Sequence, residues 1–169
     1  MISIIFILVP RAAVSAKRVA EVISTDSSIQ DPKDAKKISA NSKGRIEFKD
    51  VTFTYPGADL PVLTGINFIA EPGHTTAFIG STGSGKSTLI NLIPRFYDVS
   101  AGQVLIDDID VRDLELSELY KQIGYVPQKG VLFSGTIKSN IIYGNKKANG
   151  NDVKKAIRIA QASEFINKL

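Results

Sequence analysis

The chain has 169 residues, a net charge of +4 and an ordinary apolar share, enough for one domain with a sizeable core. It has no cysteine, which excludes disulfides and thiolate metal sites, and one histidine, His74, which argues against histidine-based zinc. Its lysines are spread out. The densest group, Lys33, Lys36, Lys37 and Lys43, is interleaved with Asp31 and Asp34, so a solvated linker is expected there and no nucleic-acid partner is expected.

The chain starts with the apolar run Met1–Val9, followed by Pro10 and Arg11. As a helix it would reach about 14 Å, too short for a hydrocarbon core of about 30 Å. A signal peptide, a buried strand and the last turns of a membrane helix all fit, although no basic residue precedes the run as a signal peptide requires. Ala12, Ala16, Val19 and Ile23 fall at helical spacing, so residues 12–23 are expected to be helical. Residues 24–44 are polar, contain Pro32 and lack periodicity, and are expected to form a linker, partly ordered at most.

Arg45–Phe48 and Val51–Tyr55 alternate apolar and polar residues around Lys49-Asp50, which predicts two short strands. Pro56-Gly57 ends the second. A third strand is expected over Ile66–Ala70 and a fourth over Thr75–Ile79, with the turn Pro72-Gly73-His74 between them. The fourth strand feeds Gly80-Ser81-Thr82-Gly83-Ser84-Gly85-Lys86-Ser87-Thr88, and Leu89–Ile93 follows as an apolar helix.

This is the pattern G-x-x-x-x-G-K-[ST] between strand and helix. Glycines allow backbone N–H groups to crowd around an anion, and a new helix aims its unbonded amides at the same point. Lys86 brings a positive charge to the outer phosphates, and the Ser87 hydroxyl stands where Mg²⁺ would sit. A nucleoside triphosphate site is expected over Ser81–Thr88.

Beyond the loop, Val104-Leu105-Ile106-Asp107-Asp108 has the form of a magnesium-binding strand, an apolar run ending in acids. It follows the loop helix closely after Ala101-Gly102, so a short strand and turn are expected instead. Residues 151–169 are expected to be helical, with Val153, Ala156, Ile157 and Ala160 as the apolar stripe.

Phe53-Thr54-Tyr55-Pro56-Gly57, the phosphate loop, and Leu92–Asp98 together resemble the nucleotide-binding domain of an ATP-binding cassette (ABC) transporter of the exporter type. So do Ile123–Gln128, Leu132–Ile137 and Asn140–Gly144. The resemblance runs from about Arg45 to Leu169, and more weakly back through Pro10–Ala13. It implies an α/β fold: a P-loop NTPase cassette of ABC type, truncated, with an antiparallel β subdomain and an incomplete core sheet. By the same resemblance, residues 1–23 are the cytoplasmic end of a last transmembrane helix, 24–44 a linker and 45–169 part of the nucleotide-binding domain.

The resemblance also implies roles. Tyr55 would stack on adenine and Val62 would pack near the base. Gln128 would reach Mg²⁺ and the attacking water, a task that suits a side chain able to orient water without titrating. Expected ligands are ATP and Mg²⁺. Expected partners are a second nucleotide-binding domain, in a homo- or heterodimer, and the transporter's own transmembrane domain, with the nucleotide-binding part on the cytoplasmic side of a membrane.

The family's Ser-Gly-Gly-Gln signature, its Walker B aspartate with adjacent catalytic glutamate, and its switch histidine do not occur in the 169 residues. The expectation is a front half of a composite site, binding ATP·Mg weakly and hydrolysing it hardly at all alone. Two other readings stay open: a complete small P-loop kinase using Asp107 for Mg²⁺, and a non-catalytic remnant that occupies a partner cassette.

Overall fold

The computed structural model describes residues 2–39 and 41–168, and of residues 2–5 and 7 the backbone alone. The first residue of the N-terminal run, Met1, and the last of the expected C-terminal helix, Leu169, lie outside the described residues. The chain divides into two compact units, Met1–Gly124 and Tyr125–Leu169.

The first unit is built on a four-stranded antiparallel sheet in the order β2-β1-β3-β4. Strand β1 spans Ile46–Phe53, β2 Leu63–Ala70, β3 Ala101–Ile106 and β4 Ile109–Asp110. The two short strands expected over 45–55 are one strand with a bulge. The register with β2 shifts between Phe48 and Val51, and the register with β3 between Lys49 and Thr52. A strand alternates faces every residue, so Phe48 and Val51 would point to opposite sides without the bulge. With it, Phe48, Val51 and Phe53 are all buried on one face. Asp50 takes a φ of 48° at the bulge, and its amide donates to Asn67 Oδ1 at 2.8 Å. Gly102 closes against it: a Cβ there would lie 2.3 Å from the Asp50 carbonyl oxygen, so only glycine fits.

Helix α2 (Lys86–Leu92) adds Leu89 and Leu92 to this core, and α3 (Leu116–Gln122) adds Leu119, with Val111 and Leu114 from the segment between β4 and α3. Residues 75–79, expected as the strand before the phosphate loop, form no ladder with any described residue, and Ile79 is 96% exposed. A strand needs a hydrogen-bonding neighbour, which local pattern cannot supply. Helix α1 is one element, Ile2–Ile23, with Pro10 inside it. Among the described residues, no helix is long and apolar enough to cross a membrane.

The polar segment expected as a linker is fastened to the sheet unit at several places. Asp31 accepts from the Leu116 amide at 2.7 Å, and Lys36 donates from its amide to the Asp113 carbonyl at 2.7 Å. Ile38 packs on the core. The largest anchor is Asp107, in the β3–β4 turn. Its carboxylate accepts from the Ser42 hydroxyl and from the amides of Lys43, Gly44 and Arg45 at 3.0, 3.1 and 3.0 Å.

In the second unit, α4 (Ile137–Ile141) and α5 (Gly150–Ile159) each begin with a capping box, Thr136 with Ser139 and Asn149 with Asp152; α6 (Ser163–Ile166) comes next. Asn140 fixes the preceding loop, donating to the carbonyls of Phe133 and Thr136 and accepting from the Phe133 amide.

Burial pushes the Asp107 carboxyl up, but the Ser42 hydroxyl and the three amides outweigh it and hold it below the usual carboxylate range. Its stabilising effect is therefore complete above an ordinary aspartate pKa of about 3.9 and is lost as pH falls through the lower folded value. The amide resonances of Lys43, Gly44 and Arg45 should titrate together in acid, with a midpoint below about 4. Asp107→Asn should remove that titration and cost about 1–2 kcal/mol in denaturant unfolding. Independent titration of the three amides would contradict the shared anchor.

Candidate functional site

The candidate site forms where β1, the turn before β2 and α2 converge. Gly80–Gly85 crosses the start of α2 as an arch, with Gly83 at φ 83° and Gly85 at φ 88°. Gly85 is the helix N-cap and has no side-chain cap, so no side chain of the loop occupies the first amides of α2. Lys86 folds back over the arch. Its ammonium donates to the Gly80 carbonyl at 2.9 Å, the Ser81 carbonyl at 2.6 Å and Ser84 Oγ at 3.2 Å. The loop thus gathers its own oxygens around one cation, with its glycines keeping side chains out of the concavity. A depression of about 520 Å³ opens here, lined by Leu63, Ile66, Ile79, Ser81, Lys86 and Leu89 among others.

Ser81, Thr82, Gly83 and Ser84 are exposed at the rim, Gly85 and Lys86 are half-buried, and Ser87 is exposed on the first turn of α2. Thr88 is 7% exposed and points inward. Its hydroxyl shares a 2.9 Å hydrogen bond with the Tyr55 hydroxyl. The structure therefore joins the aromatic expected at the base to the helix that succeeds the phosphate loop. The sequence pattern places both residues in the site but gives no sign of this bond, which depends on the turn at the end of β1.

Tyr55 is half-buried and belongs to an aromatic group. Its ring lies 4.8 Å from Phe53 at 79°, and 5.2 Å from Tyr97 at 88°. Val62 is 38% exposed and lies against Gly85: a Cβ on Gly85 would come within 3.4 Å of its Cγ1 and 2.8 Å of Leu63 Cδ2. Gln128 lies in the second unit, on an exposed bend. The structure thus gathers Tyr55, Val62 and residues 81–88 in one unit and places Gln128 in the other.

Asp107 is occupied elsewhere. Four donors from residues 42–45 converge on its carboxylate, and both Asp107 and Asp108 sit in a turn at φ 46° and 65°. The apolar run ending in acids is a hairpin strand and its turn, as expected from its closeness to the loop. Among the described residues, no group of three His, Cys, Asp or Glu side chains could hold a metal. Ser87 carries a hydroxyl oxygen in the first unit and Gln128 an amide oxygen in the second, each a donor of the kind Mg²⁺ accepts. The second unit has its own cavity of about 460 Å³, but its walls, Leu132, Phe133, Ile137, Ile157 and Phe165 among them, offer a triphosphate no cation.

This geometry has counterparts among known proteins. Residues 63–169 match the family model described as ABC transporter. An uncharacterized ABC transporter ATP-binding protein of Mycobacterium tuberculosis is 46% identical over 94% of this chain and 28% of its own length. One from Bacillus subtilis is 43% identical over 100% of this chain and 29% of its own. An ATP-dependent lipid A-core flippase of Xanthomonas oryzae is 42% identical over 96% of this chain and 27% of its own. The chain therefore spans between a quarter and a third of the length of these curated relatives. The solved structure of a bacterial Atm1-family ABC exporter with ATP bound superposes with a TM-score of 0.87 at 31% identity, covering 100% of this chain and 30% of that one.

Gly85→Ala tests the cradle. A methyl group there meets Leu63 Cδ2 at 2.8 Å in a left-handed backbone. The variant should lose about 1–3 kcal/mol of stability in denaturant unfolding. Unchanged stability would show that Val62 and Leu63 do not pack on the loop.

Proposed function

The chain belongs to the ABC transporter family, with its ABC-type P-loop NTPase fold, and from that premise we propose that residues 45–169 bind ATP as one face of a composite site. The observation that carries this reading is Lys86, whose ammonium is held at the centre of the arch by Gly80, Ser81 and Ser84. An arriving triphosphate exchanges those neutral oxygens for charged ones, a stronger class of hydrogen bond. The glycine-rich backbone supplies N–H groups, Tyr55 offers its ring to the adenine, and Val62 supplies apolar contact at the base. Stacking of this sort is worth about 1–3 kcal/mol per base in nucleic-acid binders.

The Ser87 hydroxyl and Gln128 are the proposed oxygen ligands for Mg²⁺. When bound, the ion neutralises charge on the outer phosphates. Gln128 would also orient the attacking water, and as an amide it does so at any physiological pH. The opposite face of the site is proposed to come from a second nucleotide-binding domain. The whole protein is proposed to be an exporter that couples ATP hydrolysis to transport, with this part on the cytoplasmic side of a membrane and in contact with a transmembrane domain.

Lys86→Ala should weaken equilibrium binding of ATP by about tenfold or more, the equivalent of one lost charge-assisted contact of 1.5–3 kcal/mol. The 169-residue chain alone should show almost no steady-state ATP hydrolysis. Rapid turnover by this chain that Lys86→Ala abolishes would sink the composite-site reading, because one face would then suffice.

A further inference from the structure

The aromatic group at the end of β1 has a third member to which nucleotide binding assigns no task. Tyr97 lies in the turn after α2, half-buried, with its ring 5.2 Å from Tyr55 at 88° and 5.5 Å from Phe53 at 52°. Edge-to-face pairs of this kind are attractive because the positive rim of one ring meets the negative face of another. Tyr55 is thus held at three places: its hydroxyl by Thr88, and its ring by Phe53 and by Tyr97. Phe53 is 1% exposed and is fixed by the core.

Tyr97 is fixed by its own turn. Arg95 takes a φ of 55°, and its side chain, only 7% exposed, grips Asp98 with two bonds, Nε to Oδ1 at 2.7 Å and Nη2 to Oδ2 at 3.2 Å. A planar fork on a carboxylate locks orientation as well as distance. Two residues beyond the fork, Ser100 donates its amide to the Thr52 carbonyl at 2.9 Å and accepts from the Thr54 amide at 3.0 Å. The turn that carries Tyr97 is therefore tied to the strand end that carries Tyr55, and the two rings have a defined mutual geometry.

We propose that Tyr97 is a positioning residue for base recognition: its ring sets the orientation of Tyr55, so the Arg95–Asp98 turn governs affinity for the purine without touching the phosphates. This rests on the reading of Tyr55 as the surface on which the base stacks. The phosphate arch is built from its own backbone and Lys86, and does not depend on Tyr97. The signature of the role is selectivity between ATP and inorganic tripolyphosphate, which has no base to stack.

The test measures equilibrium affinity for both ligands with the full 169-residue chain. Tyr97→Leu should weaken ATP binding by roughly three- to tenfold, the size of one lost aromatic pair, and leave tripolyphosphate binding unchanged. Tyr97→Phe keeps the ring and should restore the wild-type ratio. An equal loss for both ligands would make Tyr97 a residue of the fold alone and overturn the inference. Tyr55→Leu separates the two claims. If it lowers the ratio of ATP to tripolyphosphate affinity and Tyr97→Leu does not, the inference fails and stacking on Tyr55 stands. If neither changes the ratio, the stacking reading fails and the inference goes with it.

A second measurement covers the case in which Tyr97→Leu does not fold. The chain has no tryptophan, so Tyr97→Trp creates a single tryptophan, which can be excited at the red edge of the spectrum apart from the remaining tyrosines. Its emission should shift on adding ATP and not on adding tripolyphosphate. The same response to both, or none to ATP, would overturn the inference.

Discussion

Strand β1 must turn Phe48, Val51 and Phe53 to one face, and no regular strand can do so, because the spacing from 48 to 51 is odd. The bulge at Lys49-Asp50 absorbs the extra residue, and much of the first unit depends on it. It lets β1 pair with β2 on one side and β3 on the other while its three apolar side chains enter one core. It requires a neighbour without a side chain, which Gly102 provides. It also sets the phase of the chain beyond it, so that Tyr55, two residues past Phe53, reaches Thr88 at the start of α2. A regular strand would send that tyrosine to the other face.

The parts of the molecule legible in the sequence are those whose physics is local. The glycine-rich loop is the clearest case, since its glycines, lysine and succeeding helix sit within a few residues of one another, and the structure has the left-handed glycines and the helix in that order. Strand character over 45–55 was also legible, because alternation marks strands without reference to partners, while the antiparallel arrangement was expected from the resemblance alone. The bulge was not, because a polar pair inside an apolar pattern looks the same whether it joins two strands or interrupts one. Residues 75–79 have the composition of a strand, yet a ladder is a property of two segments, and no described segment pairs with them. The docking of residues 31–45 was hidden for a related reason. Polarity and Pro32 predict a solvated chain, while the bonds that hold it down end on Asp107, Asp113 and Leu116, far away in sequence.

Asp107 shows how far a local pattern can be misread and what resolves it. An apolar run ending in two acids is the same string whether it leads to a metal or to a turn. The difference lies in where the carboxylate's lone pairs go. Here they go to a hydroxyl and three amides of one approaching segment, and the left-handed backbone at Asp107 and Asp108 belongs to a tight hairpin turn. Short polar side chains tolerate that conformation better than most. The acids are there to turn the chain and to hold its N-terminal approach, and the same placement removes Asp107 from any magnesium chemistry.

The two halves of nucleotide recognition therefore rest on different kinds of structure. Phosphate recognition, as proposed, depends on backbone geometry over nine consecutive residues, Gly80–Thr88, and on a lysine within the same stretch. Base recognition, as proposed, depends on a ring whose orientation is set by Phe53 from a strand, Thr88 from a helix and Tyr97 from a turn. The first leans on the sheet less, because its hydrogen bonds to Lys86 are near in sequence and, of its glycines, only Gly85 packs against Val62 and Leu63. The second leans on it more, because each of its supports comes from a different element and reaches Tyr55 only when the core is packed. Loosening the core should thus erode preference for the purine before it erodes affinity for the triphosphate, which makes the aromatic group a more sensitive reporter of the fold than the loop itself.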